Sequence, residues 1–200
     1  MKRTFILVMI LTAIVVSSCS KKSDDTTTGP TSSTLAKVGT TWGSNGDGTI
    51  TVTQVSGSDV IINATSGGTT LAIGGSMTTT GFADYFYSNG DKSKPFTLVN
   101  FSDAVGTQYK FNIGSSQVVR TIVSVSTTND LYVPALQMSV KASVVQEDVP
   151  AGLTVNGKIT KTRTIYWALN HKFGVVFARV YFTDGTSKDF PLTTTNAGTK

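Results

Sequence analysis

The punctuation of this chain constrains its fold most. Short stretches in which apolar residues alternate with threonine or serine are cut off again and again by Gly, Asn, Asp or Pro. In Thr49-Ile50-Thr51-Val52-Thr53-Gln54-Val55 the apolar Ile50 and Val52 take alternate positions, and Ser56-Gly57-Ser58-Asp59 turns the chain into Val60-Ile61-Ile62-Asn63-Ala64. Further strands are predicted over residues 69–73, 84–88, 96–101, 108–113, 117–125, 135–146, 158–169, 173–183 and 187–192. A period of two bounded by turn residues is the pattern of antiparallel sheet. Beyond the N-terminal segment no long stretch keeps a helical period. The 33 threonines and 21 serines, set against few Glu and Ala, push the same way. The expected fold is all-β: an antiparallel curved sheet, open barrel or sandwich.

Internal similarity suggests two related halves. Val38-Gly39-Thr40-Thr41-Trp42 returns as Val105-Gly106-Thr107-Gln108-Tyr109, 67 residues later. Tyr85-Phe86-Tyr87-Ser88-Asn89 matches Tyr166-Trp167-Ala168-Leu169-Asn170 at an offset of 81, where Phe96, Val99, Phe101 and Asp103 also meet Phe177, Val180, Phe182 and Asp184. The candidate repeats are residues 38–103 and 105–184. Each half is expected to open with a Gly-containing turn that delivers an aromatic into the core, and to close with an aromatic hairpin. Gly174, inside a strand, predicts a bulge or a close approach to another backbone. A single domain over 35–200 is long enough to bury about 70% of its unfolded surface without a staple.

The N-terminus reads as an address. Lys2 and Arg3 precede an apolar stretch from Phe5 to Val16. As a helix it would rise about 18 Å against about 30 Å of bilayer hydrocarbon, so it is read as the core of a signal peptide, residues 1–18. It ends in Val16-Ser17-Ser18-Cys19, which resembles the lipobox of bacterial lipoproteins; the resemblance implies acylation of Cys19, the only cysteine, and a membrane partner reached through N-terminal acyl chains. A lone cysteine leaves no intramolecular disulfide.

Residues 19–34 form the acylated cysteine and a Ser/Thr-rich tether. Between residues 20 and 34 it has no apolar residue, so it cannot bury enough surface to offset its ordering entropy. Ser20-Lys21-Lys22-Ser23-Asp24-Asp25 resembles the lysine-then-acidic signal that sends Bacteroidetes lipoproteins to the outer leaflet, with Ser23 delaying the acids. The expected location is the outer membrane, on the cell surface rather than the periplasmic face. Asp25-Thr26-Thr27 resembles an O-glycosylation sequon of the same bacteria, which makes Thr26 a candidate site.

Over residues 35–192 the chain resembles a type of uncharacterised Bacteroidetes lipoprotein, through Val38–Trp42 and Tyr166-Trp167-Ala168 with Gly174-Val175-Val176. The resemblance implies a curved antiparallel sheet or open barrel, similar to the Lol-type lipoprotein carriers, and no particular activity.

Several chemistries are excluded by what the chain lacks. With Cys19 consumed by lipid, the sole histidine, His171, falls in an expected hairpin turn, so neither a Cys–His pair nor a His/Cys zinc site can be assembled. Asn45-Gly46-Asp47-Gly48 lacks the acids of a calcium loop and reads as a turn. Glu147 and Asp148 are neighbours that a strand would point to opposite faces, and their place before Val149-Pro150 reads as an ordinary exposed turn. No catalytic residue, metal or cofactor is expected. Losing Lys2 and Arg3 with the signal leaves 15 basic and 12 acidic residues, a net +3 without a basic stripe, so nucleic acid is not an expected partner.

The composition suits a non-catalytic binding module for a glycan, lipid or protein partner, with Tyr85, Tyr166 and Trp167 as candidate ligand-binding residues. A structural or assembly lipoprotein of the outer membrane is the alternative, and a hydrolase a third.

Overall fold

The computed structural model describes residues 31–155 and 157–198. Cys19, Thr26, the signal segment and most of the tether lie outside the described residues. In chain order the strands are β1 (Thr41–Ser44), β2 (Gly48–Ser56), β3 (Asp59–Ser66), β4 (Thr69–Met77), β5 (Gly81–Asp84) and β6 (Phe96–Asn100). There follow β7 (Gln108–Ile113), β8 (Ser116–Val125), β9 (Leu131–Val133), β10 (Met138–Val140), β11 (Ser143–Asp148), β12 (Thr154–Val155) and β13 (Lys158–Ile159). β14 (Thr162–Asn170), β15 (Gly174–Phe182), β16 (Ser187–Pro191) and β17 (Thr194–Thr195) complete the set. The fold is all-β, as the alternation predicts.

Two antiparallel sheets face each other. One runs β17-β1-β2-β3-β4-β5-β6 and the other β16-β15-β14-β11-β8-β7. Register shifts within β2–β3, β5–β6, β8–β11 and β14–β15 mark bulges, which add local twist and curl the sheets into a half-barrel. Val52, Val60, Phe82 and Val99 from one sheet meet Ile122, Val145, Leu169 and Val176 from the other in a single buried core. Alternation explains the choice: on β11 the burial pattern is strictly buried and half-buried by turns, so every second residue enters the core.

β1 to β6, and β7, β8, β11, β14, β15 and β16, are meanders with the same strand order. Their openings share geometry as well as sequence. Gly39 N–H donates to Val52 O, Val52 N–H to Thr40 O, and Thr40 N–H to Lys37 O; Gly106, Ile122, Thr107 and Ala104 repeat all three bonds. Gly39 and Gly106 both sit at left-handed φ, 88° and 93°. Trp42 is thereby sent into the core, whereas Tyr109 stays half-buried against its edge.

The match at offset 81 has no such counterpart. β5 ends at Asp84, and residues 86–90 are turn where Tyr166–Asn170 is strand. The predicted strand over 84–88 is lost because the Asp84 carboxylate accepts the Phe86 N–H at 3.0 Å and Asn89 adopts φ 54°, both features of turns. Phe96 and Phe177 then fall on the sixth and fifth strands of their meanders. The predicted long strands also break, 135–146 at a 3-10 turn (Pro134–Leu136) and the β10–β11 junction, 158–169 between β13 and β14.

Candidate functional site

Between the sheets lies an apolar cleft of about 430 Å³. Trp42, Ile50, Ala64 and Leu71 line one wall; Trp167, Val175, Ala178, Val180, Phe190 and Leu192 line the other. Polar groups gather toward the β1–β2 and β3–β4 turns, at Ser44, Asp47 and Ser66. There the Lys188 ammonium reaches across from β16 to Asp47 on the opposite sheet, Nζ to Oδ1 at 2.5 Å. It also lies 5.2 Å from the centre of the Phe190 ring. The expected turn over Asn45–Gly48 is present, and its aspartate serves this latch.

Trp167 connects the cleft to a buried polar cluster. Its indole N–H donates to Glu147 Oε2 at 3.2 Å, and the same oxygen accepts from Arg120 Nε at 2.8 Å. Glu147 Oε1 accepts the Tyr87 hydroxyl at 2.5 Å. Arg120 pairs with Asp84 at 2.7 Å and donates from Nη1 to the Phe96 and Thr97 carbonyls of β6, while its guanidinium lies 4.0 Å over the Phe96 ring. Arg120 of the second sheet thereby reaches β5 and β6 of the first.

Two carboxylates facing one guanidinium leave an excess negative charge in the interior. Burial raises the Asp84 pKa, with the Glu147 charge adding to the rise and Arg120 opposing it. Burial, then the Glu147 charge, raises the Tyr87 pKa, which keeps this hydroxyl a donor. Burial alone would lower Arg120, but the Glu147 and Asp84 charges outweigh it and raise its pKa. Glu147 is only 2% exposed, which corrects its reading as an exposed turn acid. The expectation that it and Asp148 face opposite sides holds, and Asp148 accepts from Gln146 and Thr164 on the outer face.

The candidate ligand residues do not converge. Tyr85 is buried in the turn after β5, its hydroxyl donating to Asp59 at 2.8 Å. Tyr166 and Trp167 are adjacent in β14 and so point to opposite faces. Of the three, Trp167 alone lines the cleft; Tyr166 is on the far side of the sheet, donating to Gln146 Oε1 at 2.9 Å. Sequence reasoning missed Arg120, Asp84 and Tyr87. Their one signal was the acid at 147 on the core-facing parity of β11, and its partner stands across the sheet at 120. His171 is exposed in the β14–β15 turn, as expected, edge-on to Phe101 with ring centres 6.0 Å apart.

No family model matches the chain, and no curated protein matches it. A solved structure from Bacteroides fragilis NCTC 9343, of a protein described as exported and as having a YmcC-like fold, is similar over 84% of this chain and 99% of that one, with 12% identity and a TM-score of 0.47.

Proposed function

We propose that this protein is a lipid-anchored module of the outer membrane, without catalytic activity, that holds the acyl chain of a lipid in the cleft between its sheets. The cleft carries the reading: both walls are apolar, and its polar groups lie toward one end, which suits a chain whose head stays in water. A glycan there would leave its hydroxyls without partners along those walls. Glu147, which accepts from Tyr87, Arg120 and Trp167, is committed to the buried cluster behind the cleft wall, and Asp47 at the polar end is paired with Lys188.

The position of the cleft fits an anchored receiver. Thr31–Ser33 is tied antiparallel to the far end of β4, through the Ser32–Thr78 bridge and the Ser33 N–H to Met77 O bond. The cleft borders the other end of that strand, at Thr69 and Leu71. Leu71 and Thr78 are separated by about 23 Å of strand. A tether from Cys19 would therefore enter the domain away from the polar end of the cleft.

Both tryptophans of the chain border the cleft, so intrinsic fluorescence reports its contents. The full chain is titrated with 9,10-dibromostearate and, as control, with stearate. The bromines should quench emission well beyond the control, and Ala64→Phe, which narrows the cleft, should abolish the difference. Equal emission with both fatty acids would refute the reading.

A further inference from the structure

The face of the second sheet that looks away from the cleft carries another concavity, of about 600 Å³. A cross-strand row runs over this face from Gln108 through Thr121, Gln146, Tyr166 and Arg179 to Asp189, one residue from each strand. The next row, Val144, Ala168 and Phe177, is apolar and forms the floor. The segment between β8 and β11 rises beside that floor and contributes Asp130 and Leu131 as the opposite bank, Asp130 being held by the Ser126 hydroxyl at 2.7 Å.

The polar and aromatic groups of this face are oriented before any ligand arrives. Arg179 donates from Nε and Nη2 to the two oxygens of Asp189, at 2.5 and 2.6 Å, and its guanidinium lies 5.8 Å over the Phe177 ring. The Asp189 hydrogen bond, followed by the Tyr181 hydroxyl, raises the Arg179 pKa. Tyr166 and Tyr181 pack edge to face with ring centres 5.9 Å apart. Gln146, accepting from Tyr166, turns its amide nitrogen to Asp148 at 2.9 Å. A carboxylate has about four acceptor sites and a guanidinium five donors, so these pairs keep capacity for a further partner.

We propose that this groove is a second binding site, separate from the cleft, and that it takes a neutral oligosaccharide. A sugar ring presents a C–H face and an edge of hydroxyls, which is what tyrosine rings beside a fixed Arg–Asp fork and an oriented amide match. An acyl chain would leave the polar row without partners. Arg179 is already neutralised by Asp189, and Asp130 adds a further negative charge to the groove wall, which disfavours an anionic polymer. Because the groups are already held, ordering them costs the ligand little.

The full chain is titrated by calorimetry with maltohexaose, cellohexaose, xylohexaose and mannohexaose, with the anionic hexamer of galacturonic acid for comparison. At least one neutral hexamer should bind. Tyr181→Ala and Arg179→Gln should each weaken it about tenfold or more, and Tyr181→Phe, which keeps the ring, should retain most of the affinity. Ala64→Phe, which narrows the cleft on the other side of the sheet, should leave sugar binding unchanged, so failure of the lipid reading and failure of this one are told apart. No binding of any neutral hexamer at millimolar concentration, tighter binding of the anionic one, or full affinity in both Tyr181→Ala and Arg179→Gln would overturn the proposal.

Discussion

Trp42 and Gly174 hold the two sheets against each other. The indole N–H of Trp42 donates to the carbonyl of Phe173 at 2.6 Å, and Gly174, at φ 77°, passes so close to the ring that a Cβ there would stand 2.9 Å from Nε1. The contact brings together the Val-Gly-Thr-Thr-Trp and Gly-Val-Val segments, 131 residues apart at this bond. Gly174→Ala should therefore cost about 2–4 kcal/mol, from the left-handed backbone and the overpacked ring together. Urea unfolding measures it, and a loss under about 0.5 kcal/mol would contradict the contact.

Glu147→Ala should be more damaging, by about 3–5 kcal/mol, because it strands three donors at once: Arg120 Nε, the Tyr87 hydroxyl and the Trp167 indole N–H. Glu147→Gln, which can still accept from Tyr87 or Arg120, should cost less. Guanidinium unfolding of both variants tests the order.

Alkali should loosen the domain before general denaturation. Burial, then the hydrogen bond to Asp59, pushes the Tyr85 pKa up from 10.0 to about 12; burial, then Asp103, does the same for Tyr109. Both folded values lie above the ordinary one, so the stability these phenols contribute is complete below pH 10 and is lost as pH rises through about 12. Melting temperatures across this range, read with tyrosinate absorbance, should fall less steeply in Tyr85→Phe.

The Lys188–Asp47 latch should govern access to the cleft more than stability. The two side chains are 48% and 21% exposed, so Asp47→Asn should change the unfolding free energy by no more than about 1 kcal/mol. The association rate of dibromostearate should rise about threefold or more, since the sheets no longer have to part an ion pair. Stopped-flow quenching measures it, and an unchanged rate would remove the latch from the binding step.

Residues 49–55 announced their strand because threonines alternate with Ile50 and Val52, and the same rule placed most of the others. Residues 84–88 misled because three aromatics favour strand, while the Asp84 carboxylate, by taking the Phe86 N–H, spent the same residues on a turn. The Gly174 prediction succeeded in kind, although the approach is to the Trp42 side chain rather than to backbone. The candidate site was legible only through Trp167. Arg120 and Glu147 meet because β8 and β11 pair in one register among many, and no local pattern fixes that choice.

β17 pairs with β1: Thr195 lies opposite Trp42, and Thr194 opposite Gly43. Until those residues are available, β1 is a bare edge with unsatisfied backbone groups, able to recruit a strand from any neighbouring molecule. Closure of the first sheet thus waits for residues 194–195 and depends on the longest-range strand pairing among the described residues, which slows folding. A nascent or clipped chain lacking those few residues would be sticky rather than merely shorter.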